Sequence, residues 1–214
     1  MIKLSKQKYA GKLIAFEGTD GAGKTTMINK TLEFLRELYG EEYGERVLLQ
    51  KQPTDLSRKT KLFQKMMYCA SHDEINYRAV QLLTLSDRVQ HNSEIIIPAL
   101  EAGKTIVCDR YIYTSVANML ARGYRREMWF FGAAKEIVRP NATFLAHVPP
   151  ELAISRIKSR PDECDRHLNE SLLRQVNVEF LRLAKSEKFV IVDTTQNADK
   201  AFEKVKRVLG EVFK

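Results

Sequence analysis

Residues 18–25 read GTDGAGKT, and no other stretch constrains the fold as tightly. The pattern is GxxxxGK[ST]. A short apolar run, Leu13–Phe16, precedes it, and a segment of helical spacing follows it. In that context Gly18, Gly21 and Gly23 permit a tight turn that aims backbone N–H groups inward. Together with the positive end of the following helix they form a cradle for phosphate oxygens. Lys24 has the length to reach β- and γ-phosphates, and the Thr25 hydroxyl offers Mg²⁺ a hard oxygen ligand. Such a loop needs a strand to feed it and a helix to leave by, which commits the chain to an α/β fold.

The rest of the sequence alternates in the same way. Leu13–Phe16, Val47–Leu49, Thr105–Cys108, Thr143–Ala146 and Phe189–Val192 are short and apolar throughout, as strands buried on both faces should be. Helical patterns lie between them. Ile28, Leu32, Leu35 and Tyr39 recur at helical spacing over 25–39, and Gly40 supplies a stop. The stretch 73–102 reads as one long helix kinked near its end by Pro98. Residues 126–138, 150–159, 168–187 and 196–212 read as the remaining helices. The alternation predicts a five-stranded parallel sheet with helices on both faces, formed by one domain over 1–214. Ligands of such sheets bind at the carboxyl ends of the strands.

A length of 214 residues suits one domain. Three cysteines, Cys69, Cys108 and Cys164, form no CxxC pair and no even-numbered framework, which fits a reducing cytosol. No apolar run approaches the roughly 18 residues of a membrane span, and the opening residues lack a secretory pattern. The four histidines have no metal-binding spacing. Net charge is +8, which suits nucleic acid or small polyanions. Its spread along the chain, without a run of five or six like charges, argues against a basic tail and makes nucleic acid the weaker reading.

A phosphate loop alone fits a GTPase switch, an ATPase motor or a kinase. No NKxD guanine-reading motif is present, and the chain has no room for a motor's accessory domains. A small kinase needs only an acceptor site and the exclusion of water. TIVCDRY, residues 105–111, puts Asp109 at a strand's carboxyl end, facing the phosphate loop if the two strands are neighbours. There a carboxylate can hold Mg²⁺, and Arg110 can offer a planar fork to a second phosphate. A plain Asp–Arg ion pair is the alternative.

FEGTDGAGKTT (16–26), LLTLSDRVQH (82–91), IIPALEAGKTIVCDRY (96–111) and DRH (165–167) resemble, in order and spacing, the thymidylate kinases. The resemblance runs from about residue 12 to the end. It implies a phosphate-loop NTPase fold that phosphorylates dTMP to dTDP with ATP and Mg²⁺, as a homodimer in the cytoplasm. It further implies that Gly21, Ala22, Gly23, Lys24, Thr25, Thr26 and Arg166 bind ATP. Asp20 matches a contact to the deoxyribose 3′-hydroxyl, and Arg110 the grip on the acceptor phosphate. Tyr111 matches a side chain closing off the sugar's 2′ side, Arg88 an arginine reading the thymine edge, and Thr114 a hydroxyl near the base. Glu17 falls close to metal and acceptor, beside Thr25 and Asp109.

Several positions depart from the family pattern. Its REPGG segment is KQPTD (51–55) here, so Lys51 stands for a phosphate-gripping arginine while Pro53 remains. Thr84 replaces the aromatic that stacks on thymine, with Tyr68 or Tyr77 as substitutes, and Asn118 stands where many members carry tyrosine. These changes gather on the acceptor-base side and keep another (deoxy)nucleoside monophosphate open as the acceptor. RIKSRPDECDRH (156–167) matches the family's mobile lid. Members without an arginine in the phosphate loop carry it there, and no arginine lies between Asp20 and Lys24. Arg156 and Arg160 are thus the candidates for catalytic charge and Arg166 for contact with ATP. A rival of another class is a regulatory ATPase that acts with nucleic acid.

Overall fold

The computed structural model describes residues 2–69, 75–160 and 168–214. Its strands are β1 (Lys12–Glu17), β2 (Val47–Lys51), β3 (Thr105–Asp109), β4 (Ala142–His147) and β5 (Val190–Asp193). All pair in parallel, in the order β2-β3-β1-β4-β5. Each expected strand is present, extended by one or two residues at an end or shifted by one.

Successive side chains of a strand point to opposite faces, and here both faces are buried. Leu13 and Ala15 join one apolar cluster with Ile106 and Cys108, whereas Ile14 and Phe16 join the other with Val107. The Phe16 and Phe144 rings stack on that second face at 5.1 Å.

The second face is covered by α1 (Lys24–Tyr39) and, later in the chain, by Ala198–Val212. The helix α1 buries Met27, Ile28, Thr31 and Leu35. It ends where expected, at Gly40, whose φ is 55° and whose N–H donates to the Arg36 carbonyl. A single turn, α2 (Tyr43–Arg46), leads into β2.

Between β2 and β3 lie α3 (Asp55–Arg58), α4 (Lys61–Tyr68), α5 (Tyr77–His91) and α6 (Ile97–Glu101). The single helix expected over 73–102 is, in its described part, two helices joined by a π-helical turn at Asn92–Ile96. Pro98 is the physical cause. It lacks the N–H that would bond back to residue 94, so the ladder loosens one turn ahead of it and restarts with Pro98 in the first turn of α6.

The third strand is followed by α7 (Ile112–Ala121), which sequence periodicity does not reveal. Six of its ten residues are buried, and its polar stripe is reduced to Thr114 and Asn118, too short to mark a period. The helix expected over 126–138 is shorter, α8 (Met128–Ala133) with a 3₁₀ turn to Glu136. Phe130 is wholly buried there, edge-on to Trp129 and Phe131, so this aromatic group belongs to the core. The chain ends through α9 (Pro150–Lys158), α10 (Glu170–Glu187) and α11 (Ala198–Val212). Asn169 and Asn197 cap the last two, each side chain accepting a first-turn N–H.

Only 156–160 of the expected lid, and none of Arg166, falls within the described residues. Among the described residues no helix is long and apolar enough to cross a membrane, and Cys69 and Cys108 are free thiols.

Candidate active site

The register of the sheet assembles the site. Phe16 of β1 pairs with Asp109 of β3, and Lys51 of β2 pairs with Asp109 from the other side. The carboxyl ends of β2, β3 and β1 therefore open together into one cleft of about 440 Å³.

On its donor side the chain leaves β1 through Gly18 and Gly21, with φ of 140° and 76°. A Cβ at Gly18 would lie 2.5 Å from the Ala146 carbonyl oxygen, and one at Gly21 would lie 2.4 Å from that of Ala153. Both the backbone conformation and the close approach of β4 and α9 therefore demand glycine. The loop is braced from behind. Thr194, just past β5, donates its hydroxyl to the Ala22 carbonyl at 2.6 Å. Arg156 donates to the carbonyls of Gly21 at 3.4 Å and Thr194 at 3.0 Å. No side chain caps α1, so its first-turn N–H groups are left for an anion. Lys24 folds back over the loop and donates Nζ to the carbonyls of Thr19 at 2.8 Å and Gly18 at 3.2 Å. Burial, reinforced by the charge of Arg110, pushes its ammonium down to about 7. Thr25 and Thr26 follow on the first turn, exposed and facing the cleft.

On the acceptor side Arg110 takes a left-handed conformation, φ 65°, held by its N–H donating to the Phe16 carbonyl at 2.9 Å. For a residue with a Cβ this is strained, and it re-aims the guanidinium into the cleft. Nη1 donates to the Gly18 carbonyl at 2.9 Å and to Thr114 Oγ1 at 3.3 Å, and Nη2 pairs with Asp20. Burial alone would lower this guanidinium, but Asp20, Asp109 and Glu17 outweigh it and hold it above its usual value. One oxygen of Asp109 is buried without a partner, and the other lies 3.9 Å from Lys51 Nζ.

Glu17 is fully buried, and both its oxygens are used. It accepts from the backbone N–H groups of Tyr111 at 3.0 Å and Thr114 at 3.2 Å, and from the Thr114 hydroxyl at 2.5 Å. It thus closes the start of α7. Burial pushes its carboxyl up to about 7, against the opposing pull of those hydrogen bonds and of Arg110.

Tyr111 requires a correction. It belongs to the apolar core, is 0% exposed and does not line the cleft. Its hydroxyl shares its one proton between Asn92 Oδ1 at 3.1 Å and the Val138 carbonyl at 2.9 Å. Once Arg110 takes its left-handed turn, the next side chain swings inward beneath α7.

The far end of the cleft is formed by α4, α5, α7 and α10. Arg88 lines it, buried, with Nη1 donating to the Thr84 carbonyl at 2.9 Å and Nε unpartnered. Burial pushes this guanidinium down to about 10. Thr84 itself lines the cleft. Of the two aromatic substitutes, Tyr77 is on the cleft wall, whereas Tyr68 is 58% exposed and is not. Phe63 and Phe180 also face the space. Lys51, Pro53, Thr114 and Arg160 are on its wall. Arg156 is not; it grips the outside of the phosphate loop.

Sequence reasoning missed Arg58, Arg122 and Asp87. Asp87 is buried and accepts from the N–H groups of Thr54 and Ser57, fixing the loop after β2. Arg58 donates Nε to the Pro53 carbonyl at 2.6 Å and faces the cleft, adding a planar fork that Lys51 lacks. Burial, then the nearness of Arg110, lowers its pKa. Arg58 follows a strand's carboxyl end, which is the signal that could have found it. Arg122 carries no motif; its guanidinium lies 4.1 Å from the centre of the Tyr77 ring.

Among the described residues no three His, Cys, Asp or Glu side chains gather as a metal cluster. The orphaned Asp109 oxygen and the Thr25 hydroxyl are hard donors. They suit an ion that takes most of its ligands from phosphate and water, as Mg²⁺ does.

Comparison with known proteins gives a consistent result. A family model described as thymidylate kinase matches residues 16–205. A protein of Pyrococcus abyssi named "Probable thymidylate kinase" is 33% identical over 198 residues, covering 91% of this chain and 94% of its own. Proteins named thymidylate kinase from Ligilactobacillus salivarius and a Geobacillus species are 30% and 34% identical, covering 94% and 90% of this chain and 98% and 92% of theirs.

Proposed function

This chain belongs to the thymidylate kinase family, and from that premise we propose that it transfers the γ-phosphoryl of ATP to dTMP in the cleft described above. The products are ADP and dTDP. The bond from Pγ to the β–γ bridging oxygen breaks as a bond from Pγ to a dTMP phosphate oxygen forms. One observation carries the proposal. Lys24 and Arg110 donate to the same Gly18 carbonyl, at 3.2 and 2.9 Å, so the two phosphate grips share one cleft.

The roles follow from chemistry. The acceptor phosphate is already an anion, so no general base is required, and the task is alignment and charge neutralisation. The backbone of Gly21–Gly23, with Lys24, Thr25 and Thr26, holds the donor's phosphates. Arg110 orients the acceptor phosphate, with Arg58 and Lys51 as further cations beside it. Asp20 holds Arg110 in place and lines the cleft, where it is assigned the contact to the sugar's 3′-hydroxyl. Asp109 and Thr25 would hold Mg²⁺, which when bound screens charge on the phosphates. Arg160 brings positive charge from the lid side. Arg156 acts on the donor through the loop it clamps, and Arg166 is retained as an ATP contact. Arg88 meets the base. Exposed Leu49, Leu56, Leu82 and Ile95, on β2, α3, α5 and the π-helical turn, suit the homodimer.

The test is ADP release by the purified protein with Mg-ATP against dTMP, dUMP, dCMP, dGMP, dAMP and their ribose counterparts. The highest kcat/KM is expected for dTMP, with turnover abolished by Lys24→Ala. If dTMP is no better than the other acceptors, the proposal fails. Thr84 in place of a stacking ring favours the alternative of another pyrimidine or modified base, which the same panel reads.

A further inference from the structure

Besides the Asp109 oxygen, two buried polar atoms on the cleft wall have no partner among the described residues, and both come from one face of α5. They are Gln81 Oε1 and Arg88 Nε. Residues seven apart lie nearly above one another on a helix. Gln81 is 4% exposed and Arg88 1%, and both face the cleft. A buried polar group without a partner is costly, so a native fold that keeps two of them together leaves room for a ligand to satisfy them.

Their chemistry is complementary. Arg88 can only donate. A hydrogen bond between the Gln81 side chain and the Tyr77 phenol lowers the phenol's pKa, while the Gln81 side-chain oxygen is buried and has no partner. Thr84, one turn on from Gln81 and one before Arg88, is small and already turned back to the Gln81 carbonyl at 3.4 Å.

We propose that Gln81 is a specificity-determining residue for the acceptor base: its side-chain oxygen accepts from a ring N–H of the base next to the carbonyl that Arg88 Nε donates to. The chemistry selects a base that presents C=O and N–H side by side, as the imide of thymine or uracil does. This inference rests on the proposed acceptor reading and adds to it a residue and a direction of hydrogen bonding.

The experiment compares dTMP with N3-methyl-dTMP, which keeps both carbonyls and lacks the ring N–H. Steady-state kinetics are measured for the wild-type protein, Gln81→Met and Gln81→Glu. Methionine fills the same volume without an acceptor. Glutamate keeps an acceptor oxygen in either protonation state. The wild type is expected to prefer dTMP strongly. Gln81→Met should raise the dTMP KM roughly tenfold to a hundredfold, with kcat little changed, and the preference over N3-methyl-dTMP should shrink by the same factor. Gln81→Glu should restore the preference. If Gln81→Met leaves the dTMP to N3-methyl-dTMP ratio at the wild-type value, whether or not both rates fall together, the inference is overturned while the kinase reading stands. If Gln81→Met does not fold, failure of Gln81→Glu to keep the preference overturns it instead. A wild type inactive on dTMP overturns both.

Discussion

Lys24 should be largely neutral at alkaline pH in the empty site, and nucleotide binding should return its proton. Burial holds its pKa at about 7, against an ordinary 10.5. Terminal phosphates placed against the ammonium favour its charged form and move it back toward the ordinary value. At pH 8 about one tenth of the empty sites carry the proton, so binding takes up about 0.9 proton per nucleotide. By linkage the observed affinity falls as pH rises above 7, by roughly 90-fold between pH 6 and pH 9. The assay is titration calorimetry with Mg-ATP at pH 8 in Tris and in HEPES, whose ionisation heats differ. The slope of observed heat against ionisation heat counts the protons. Lys24→Arg is the comparator, because a guanidinium stays charged in the empty site. The wild-type slope should exceed that of the variant by about 0.9 proton. Equal slopes would mean that Lys24 is already charged in the empty site, and the argument from burial would be wrong.

Glu17 gives a stability test of opposite sign. Its folded-state carboxyl titrates at about 7, above its ordinary 4.5, so the stabilisation it contributes is complete below pH 4.5 and lost as pH rises through 7. The loss amounts to at most about 3 kcal/mol. Thermal melts of Glu17→Gln should fall less between pH 5 and pH 8 than those of the wild type; parallel curves would refute the assignment. Tyr111→Phe should lose about 1 kcal/mol of stability, chiefly through the Val138 carbonyl left without its donor, since Asn92 Oδ1 still accepts from the Val138 N–H, yet leave the preference for deoxyribose over ribose acceptors unchanged. A collapse of that preference in kinetic assays would return Tyr111 to the sugar site. Gly210→Ala, within α11 where an added Cβ meets nothing within 4 Å, should raise stability by about 1 kcal/mol in denaturant titration. Gly21→Ala should instead raise the KM for ATP sharply, because the new Cβ strikes the Ala153 carbonyl.

What was legible in the sequence was what is encoded locally. The five strands are short apolar runs buried on both faces, and the phosphate loop has its chemistry in eight consecutive residues. Gly40 and Pro98 mark ends and breaks through their own backbones. The failures have separate causes, and the first is the way a side chain turns after its element ends. Tyr111 follows Asp109 and Arg110 directly, and only the left-handed step at Arg110 sends it into the core. The helix α7 is invisible to periodicity because solvent sees too little of it. Asp87 and Arg122 matter through partners 33 and 45 positions away, at Thr54 and Tyr77, and no spacing rule reaches such distances.

The carbonyl oxygen of Gly18 already satisfies both Lys24 and Arg110 before any substrate arrives. Entry of a polyanion is therefore an exchange of partners rather than a capture by waiting cations. A monovalent ion such as chloride has too little to offer in that trade. The partners to be exchanged are the Gly18 and Thr19 carbonyls for Lys24, and the Gly18 carbonyl, Thr114 and Asp20 for Arg110.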